Sequence, residues 1–195
     1  MAHPFDPRRK HKLDSEERRA RMPPEATLRE LGLEPGGIMA DIGCGLGFFT
    51  IPAAKIVGAQ GRAYAIDSSE EMLEELRSRL ARTSLRNVEV LRSDASSLPL
   101  PPGSVSFALL VNVLHEVEEP LRLLEEVRRI LLPKGVLGLV EWQKREMPDG
   151  PPAAHRLAEE QVRAMLEDAG FEGLRSHPVA AEFYAFSALR GSRRT

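Results

Sequence analysis

Apolar residues along the chain follow two spacings. SEEMLEELRSRLAR (69–82) and EPLRLLEEVRRILL (119–132) repeat them every three to four residues, which predicts amphipathic helices. VSFALLVNV (105–113) and GVLGLVEW (135–142) are nearly continuous apolar runs, as expected of strands buried on both faces. GGIMADIG (36–43), RAYAID (62–67) and NVEVLRSD (87–94) read as three more strands. EATLRELGL (25–33), FFTIPAAKIV (48–57) and AEEQVRAMLEDAG (158–170) read as helices; Pro52 fits only near a first turn, and Gly170 is placed for a C-cap. FEGLRSHPV (171–179) and EFYAFSALR (182–190) have no helix between them and should pair as an antiparallel hairpin. Strands alternating with helices predict an α/β fold with a mostly parallel sheet covered on both faces. Right-handed crossovers then put the ligand crevice at the C-terminal ends of the strands.

Residues 1–24 break the pattern. They carry seven Lys or Arg, four acids and few apolar residues, chiefly Phe5 and Leu13, and end at Pro23-Pro24. We read them as a basic arm or lid preceding a domain over 25–195, with a solvated tail as the alternative. The 195 residues suit one such domain, and the net charge of −2 argues against a strongly electrostatic nucleic-acid binder. Cys44 is the only cysteine, which excludes an internal disulfide framework and a Cys-rich metal cluster. The longest apolar run is about half of a membrane span, and the charged N-terminal stretch is no signal peptide. A cytoplasmic setting with no membrane span is expected. Composition is silent on the oligomeric state.

The chemistry gathers at strand ends. In ADIGCGLGFFT (40–50), a strand ends at Asp41-Ile42, and Gly43, Gly45 and Gly47 alternate before a helix. Such a loop lets backbone approach a ligand beside a helix N-terminus. It lacks the G-x-G-x-x-G spacing of a dinucleotide site, and no Gly-Lys-Ser/Thr follows. Asp41 would repel a pyrophosphate but suits a ligand with an ammonium group. Asp67 ends the next strand, 20 residues beyond Gly47, where an acid can accept both ribose hydroxyls. Met72 is placed to lie against a flat base. Asp94 ends the third strand and can accept from an exocyclic amine. Asn112 closes an otherwise apolar strand in LLVNVLHEV. A ligand-free turn explains any one of these; four strand tips ending in Asp41, Asp67, Asp94 and Asn112 point to a ligand.

On these residues the chain resembles the class I S-adenosylmethionine (SAM)-dependent methyltransferases, of the small ubiquinone/menaquinone-methyltransferase-like type, over roughly residues 25–190. DIGCGLG resembles the nucleotide-loop motif, Asp67 the ribose-binding acid, Asp94-Ala95 the adenine-contacting pair, and Asn112-Val113-Leu114-His115 the fourth-strand motif. Leu132-Pro133-Lys134-Gly135 resembles the Leu-Lys-Pro-Gly-Gly turn with Lys and Pro exchanged. The resemblance implies a Rossmann-like three-layer sandwich, with seven strands in the order 3-2-1-4-5-7-6 and strand 7 antiparallel. It also implies SAM as cofactor and S-adenosylhomocysteine as product. The implied cofactor-binding set is Asp41, Gly43, Cys44, Gly45, Gly47, Asp67, Ser68, Met72, Asp94, Ala95, Asn112 and Val113.

Methyl transfer depends mainly on alignment, and a base is required only if the acceptor holds its proton at neutral pH. Candidate catalytic residues are His115, after the fourth strand, Glu141, ending the fifth, and His11 in the arm. His155 lies in the Pro/Gly-rich loop that follows. No metal site is expected. The arm, the long 143–157 loop and the near-neutral charge favour a small-molecule acceptor. RNA or protein methylation is the alternative, supported by the basic arm and by Arg190, Arg193 and Arg194. Against nucleic acid, Asn112 is followed by Val-Leu and not Pro-Pro-aromatic. A SAM-binding protein without catalysis is the third reading.

Overall fold

A computed structural model describes residues 15–94 and 97–192. Seven strands form one sheet: β1 (Ile38–Ile42), β2 (Arg62–Asp67), β3 (Val88–Arg92), β4 (Val105–Val111), β5 (Leu131–Trp142), β6 (Phe171–His177) and β7 (Phe183–Arg190). Their order is β3-β2-β1-β4-β5-β7-β6, as the resemblance implied. The first five pair in parallel, and β7 runs antiparallel to both β5 and β6. This is a Rossmann-like three-layer sandwich.

Among the described residues, six α-helices accompany the sheet: α1 (Glu16–Arg21), α2 (Pro24–Glu30), α3 (Thr50–Val57), α4 (Glu70–Ala81), α5 (Pro120–Ile130) and α6 (Glu159–Asp168). Side-chain alternation divides the core. Phe107, Leu109 and Val111 of β4 join Leu28, Phe49 and Ala53 on the α2–α3 face. Ala108 and Leu110 join Leu123, Val127, Val162 and Leu166 on the α5–α6 face. Helix α4 docks through Leu73 and Leu76 onto Ala65 and Cys44. Pro52 sits in the first turn of α3, where its missing N–H costs no helical bond.

Three local findings depart from the sequence pattern. Residues 16–21 are helical without an apolar stripe: Ser15 Oγ accepts from Arg18 N at 3.1 Å, acids occupy the first turn and arginines the last. Met22 and Pro24, at the end of the segment read as an arm, are buried. Strand β5 begins at Leu131, directly after α5, because Leu131 pairs with Val105 before the register shifts. Lys134 in this stretch has φ +62, the left-handed conformation that favours glycine. That geometry revises the turn's alignment: Pro133 keeps its place, and Lys134 stands where the motif has its first glycine.

Candidate active site

The glycine loop leaves β1 and turns back under the end of β2. Gly43 N and Cys44 N both donate to Ile66 O, at 2.8 and 3.1 Å. Gly43 and Gly47 have φ +72 and +80, conformations that side-chain-bearing residues rarely adopt. A Cβ would also lie 2.3 Å from Val113 at Gly43 and 2.4 Å from Leu76 at Gly47. The loop therefore packs directly on Val113, just past the end of β4, and on Leu76 of α4. Gly45 N donates to Asp67 Oδ2 at 2.8 Å, and Ser69 N donates to Asp67 Oδ1 at 2.9 Å. Asp67 thus ties the loop to the start of α4 while keeping lone pairs to spare.

Asp41 is buried, and Thr50 Oγ1 donates to its Oδ2 at 2.5 Å. Burial raises its pKa to about 7, with the Asp67 charge adding to the rise and the Thr50 bond and Arg18 opposing it. Burial also pushes the Cys44 thiol upward, helped by Asp41 and Asp67, so it is no reactive thiolate. Met72 is buried on α4, Ser68 is exposed at the end of β2, and Asp94 is exposed just past β3. Val113 packs against Gly43. Ala95 and His11 lie outside the described residues.

Asn112 stands out beside the loop. Its φ is +58, its N–H donates to Val140 O at 2.8 Å, and its buried Oδ1 has no hydrogen-bond partner. An orphaned buried carbonyl oxygen costs about 1–3 kcal/mol, which a ligand donor would recover.

Two residues predicted separately meet next to it. His115 Nδ1 lies 2.7 Å from Glu141 Oε2, with side-chain exposures of 3% and 1%. Glu141 Oε1 accepts from Leu114 N at 2.8 Å and from His115 N at 3.4 Å, which holds the carboxylate in place. Nδ1 donates to Glu141, so Nε2 is the basic nitrogen; Glu116 Oε1 is 3.7 Å from it. Burial acts to lower the His115 pKa. The Glu141 hydrogen bond and charge, with Glu116, outweigh it and leave the imidazole above its ordinary 6.5.

The pattern of the sequence missed three arginines. Arg156 is buried and donates to the carbonyls of Pro151, Gln143, Arg145 and Asp149, which organises the 143–156 loop. Its guanidinium also stands 5.5 Å from the Trp142 ring, which stacks on Phe183 at 4.4 Å. Arg18 lies over the Phe48 ring at 4.4 Å. Arg21 reaches Asp149 and Glu182. Each role arises from contacts between distant segments, and no local signal carries it. His155, by contrast, sits in a short 3-10 turn at Ala153–His155. Among the described residues, no three His, Cys, Asp or Glu side chains group to hold a metal ion, and no helix is long and apolar enough to cross a membrane.

Residues 40–139 match the family model for a methyltransferase domain. A SAM-dependent methyltransferase from Aquifex aeolicus superposes with a TM-score of 0.90 at 37% identity, covering 95% of this chain and 99% of that one. The demethylmenaquinone methyltransferase of Staphylococcus aureus is 32% identical over 121 residues, which are 62% of this chain and 49% of that protein. A 37.1 kDa protein in transposon TN4556 of Streptomyces fradiae is 41% identical over 117 residues, 59% of this chain and 33% of that one. The chain thus spans a third to a half of the length of these curated relatives.

Proposed function

The chain belongs to the class I SAM-dependent methyltransferases, and from that premise we propose that it methylates a small molecule whose reacting O–H or C–H must first lose a proton. When bound, the cofactor supplies an electrophilic methyl on a sulfonium and leaves as a neutral thioether. The residues present fit it. The orphaned Asn112 Oδ1 awaits a polar partner beside the left-handed glycine loop at the strand ends. In this reading the loop makes room for the amino-acid end, Asp41 faces its ammonium, and Asp67 accepts from the ribose hydroxyls. Asp94, Met72 and Val113 frame the adenine, with Cys44, Ser68 and Ala95 flanking these positions.

The observation that carries the acceptor reading is the buried His115–Glu141 pair. Glu141 fixes the tautomer and the ring plane, so His115 Nε2 is poised to take a proton from the acceptor. A base held this way is of no use to an acceptor that is already a free nucleophile. It suits phenols, hydroquinones and enolisable carbon acids. The relatives named as demethylmenaquinone methyltransferases support a quinol-like acceptor.

The test is S-adenosylhomocysteine release with a panel of phenols, naphthohydroquinones and β-dicarbonyls, with RNA and protein tested in parallel. Turnover of a small acceptor should fall about 10²–10⁴-fold in His115→Asn. Its rate should rise with pH along a limb above 6.5. In Glu141→Gln that limb should move down, because burial alone lowers the imidazole pKa. Turnover of RNA or protein only would overturn the acceptor class, and SAM binding without turnover of any class would favour the non-catalytic reading.

A further inference from the structure

His115 stands between two acids. Glu141 reaches it from β5 at 2.7 Å and Glu116 from its own turn at 3.7 Å. Two carboxylates alone favour the protonated imidazole, which takes no proton from an acceptor. A base working near neutral pH needs a positive charge to offset them.

Arg156 brings one from the far end of the 143–156 loop. The residue is 2% exposed, and its guanidinium donates to the carbonyls of Pro151, Arg145, Asp149 and Gln143 at 2.7, 2.8, 2.9 and 3.1 Å. Among the described residues it bonds no carboxylate. Carbonyls orient a guanidinium without cancelling its charge, and arginine keeps that charge even when buried. Two contacts fix it near the base. Its guanidinium is 5.5 Å from the ring of Trp142, the residue after Glu141. Tyr184 pairs with Glu141 across β5 and β7, and its hydroxyl donates to Leu157 O at 3.1 Å, which pins the backbone next to Arg156. Gly150 closes the clasp: its φ is +90, and a Cβ there would lie 3.0 Å from the Trp142 ring. The charge held in this way opposes protonation of His115, against Glu141 and Glu116.

We infer that Arg156 is a positioning residue for the base: it folds the 143–151 loop around its guanidinium and fixes a positive charge near the His115–Glu141 pair. This rests on the reading of His115 as the base.

The test is an NMR titration of the histidine imidazoles in the full chain, with the His115 signal assigned by its absence from His115→Asn. Saturating S-adenosylhomocysteine favours the folded state of every variant, and no acceptor is needed. Arg156→Gln and Arg156→Met both remove the charge, and whichever folds should bind a proton at His115 roughly 3–10-fold more tightly than wild type. Arg156→Lys keeps the charge without the fork, and Gly150→Ala strains the loop without touching a charge. Both should stay within about twofold of wild type. Equal tightening in all these variants would show that the loop acts by burying His115 and would overturn the charge assignment. An unmoved titration in a folded Arg156→Gln or Arg156→Met would refute it outright. Small-acceptor turnover unaffected by His115→Asn would instead overturn the base reading, whatever the titrations show.

Discussion

Asp41 is kept in the fold at a cost. It is buried, it accepts a hydrogen bond from Thr50, and its pKa of about 7 lies well above the ordinary 3.8. With the native pKa raised, the native state binds the proton more tightly than the unfolded chain. The associated stability is complete below about pH 3.8 and is lost as pH rises through about 7. Asp41→Asn keeps an acceptor for Thr50 without the buried charge. The ligand-free variant should therefore melt higher than wild type at pH 8, with the gap closing toward pH 4, while SAM binding weakens. An equal or lower melting point at pH 8 would show that the charge at Asp41 is compensated by the protein itself. Asp41, Asp67 and Asn112 were legible in the sequence because each is a polar residue closing an apolar strand. Their partners were not. That His115 meets Glu141 depends on adjacent β4 and β5 ending level, and that Arg18 meets Phe48 depends on where a six-residue helix lands.

Elements with a periodic apolar pattern were readable within a few residues of their ends, because the stripe that predicts them is also the stripe that buries them. Helix α1 was not, since EERRAR has Ala20 as its sole apolar residue, makes no apolar stripe and is held by its cap and by charges. The α5–β5 junction was misread for a different reason. Its Pro and Gly suggested a turn, yet Leu131 already pairs with Val105, and the bend is taken by Lys134 at φ +62. That conformation is disfavoured for lysine, and Lys134 has an exposed side chain. Lys134→Gly should relieve it, offset in part by the greater freedom of glycine in the unfolded chain. The expected gain is about 0.5–1 kcal/mol, or ~1–4 °C in melting temperature. A lower melting point would mean that the Lys134 side chain makes a contribution its backbone does not reveal. The variant should leave SAM affinity unchanged, because this junction is at the opposite end of β5 from Glu141.

Across the whole molecule, distant parts of the chain converge on one arginine. Arg21 pairs with Glu17 in its own helix, with Asp149 at 3.1 Å in the loop hung on Arg156, and with Glu182 at 3.7 Å before β7. These pairs are partly solvated, so each contributes no more than about 1 kcal/mol. Burying Met22 contributes about 1.5–3 kcal/mol. Buried Met22 and the Arg21 pairs together fasten the C-terminal end of α1 to the 143–156 loop and to the start of β7. Arg21→Ala should raise hydrogen exchange in residues 16–22 and 143–156 by up to about fivefold, the equivalent of 1 kcal/mol. Exchange in β1, β4 and β5 should not change. Faster exchange throughout the sheet would instead make Arg21 a support of the fold.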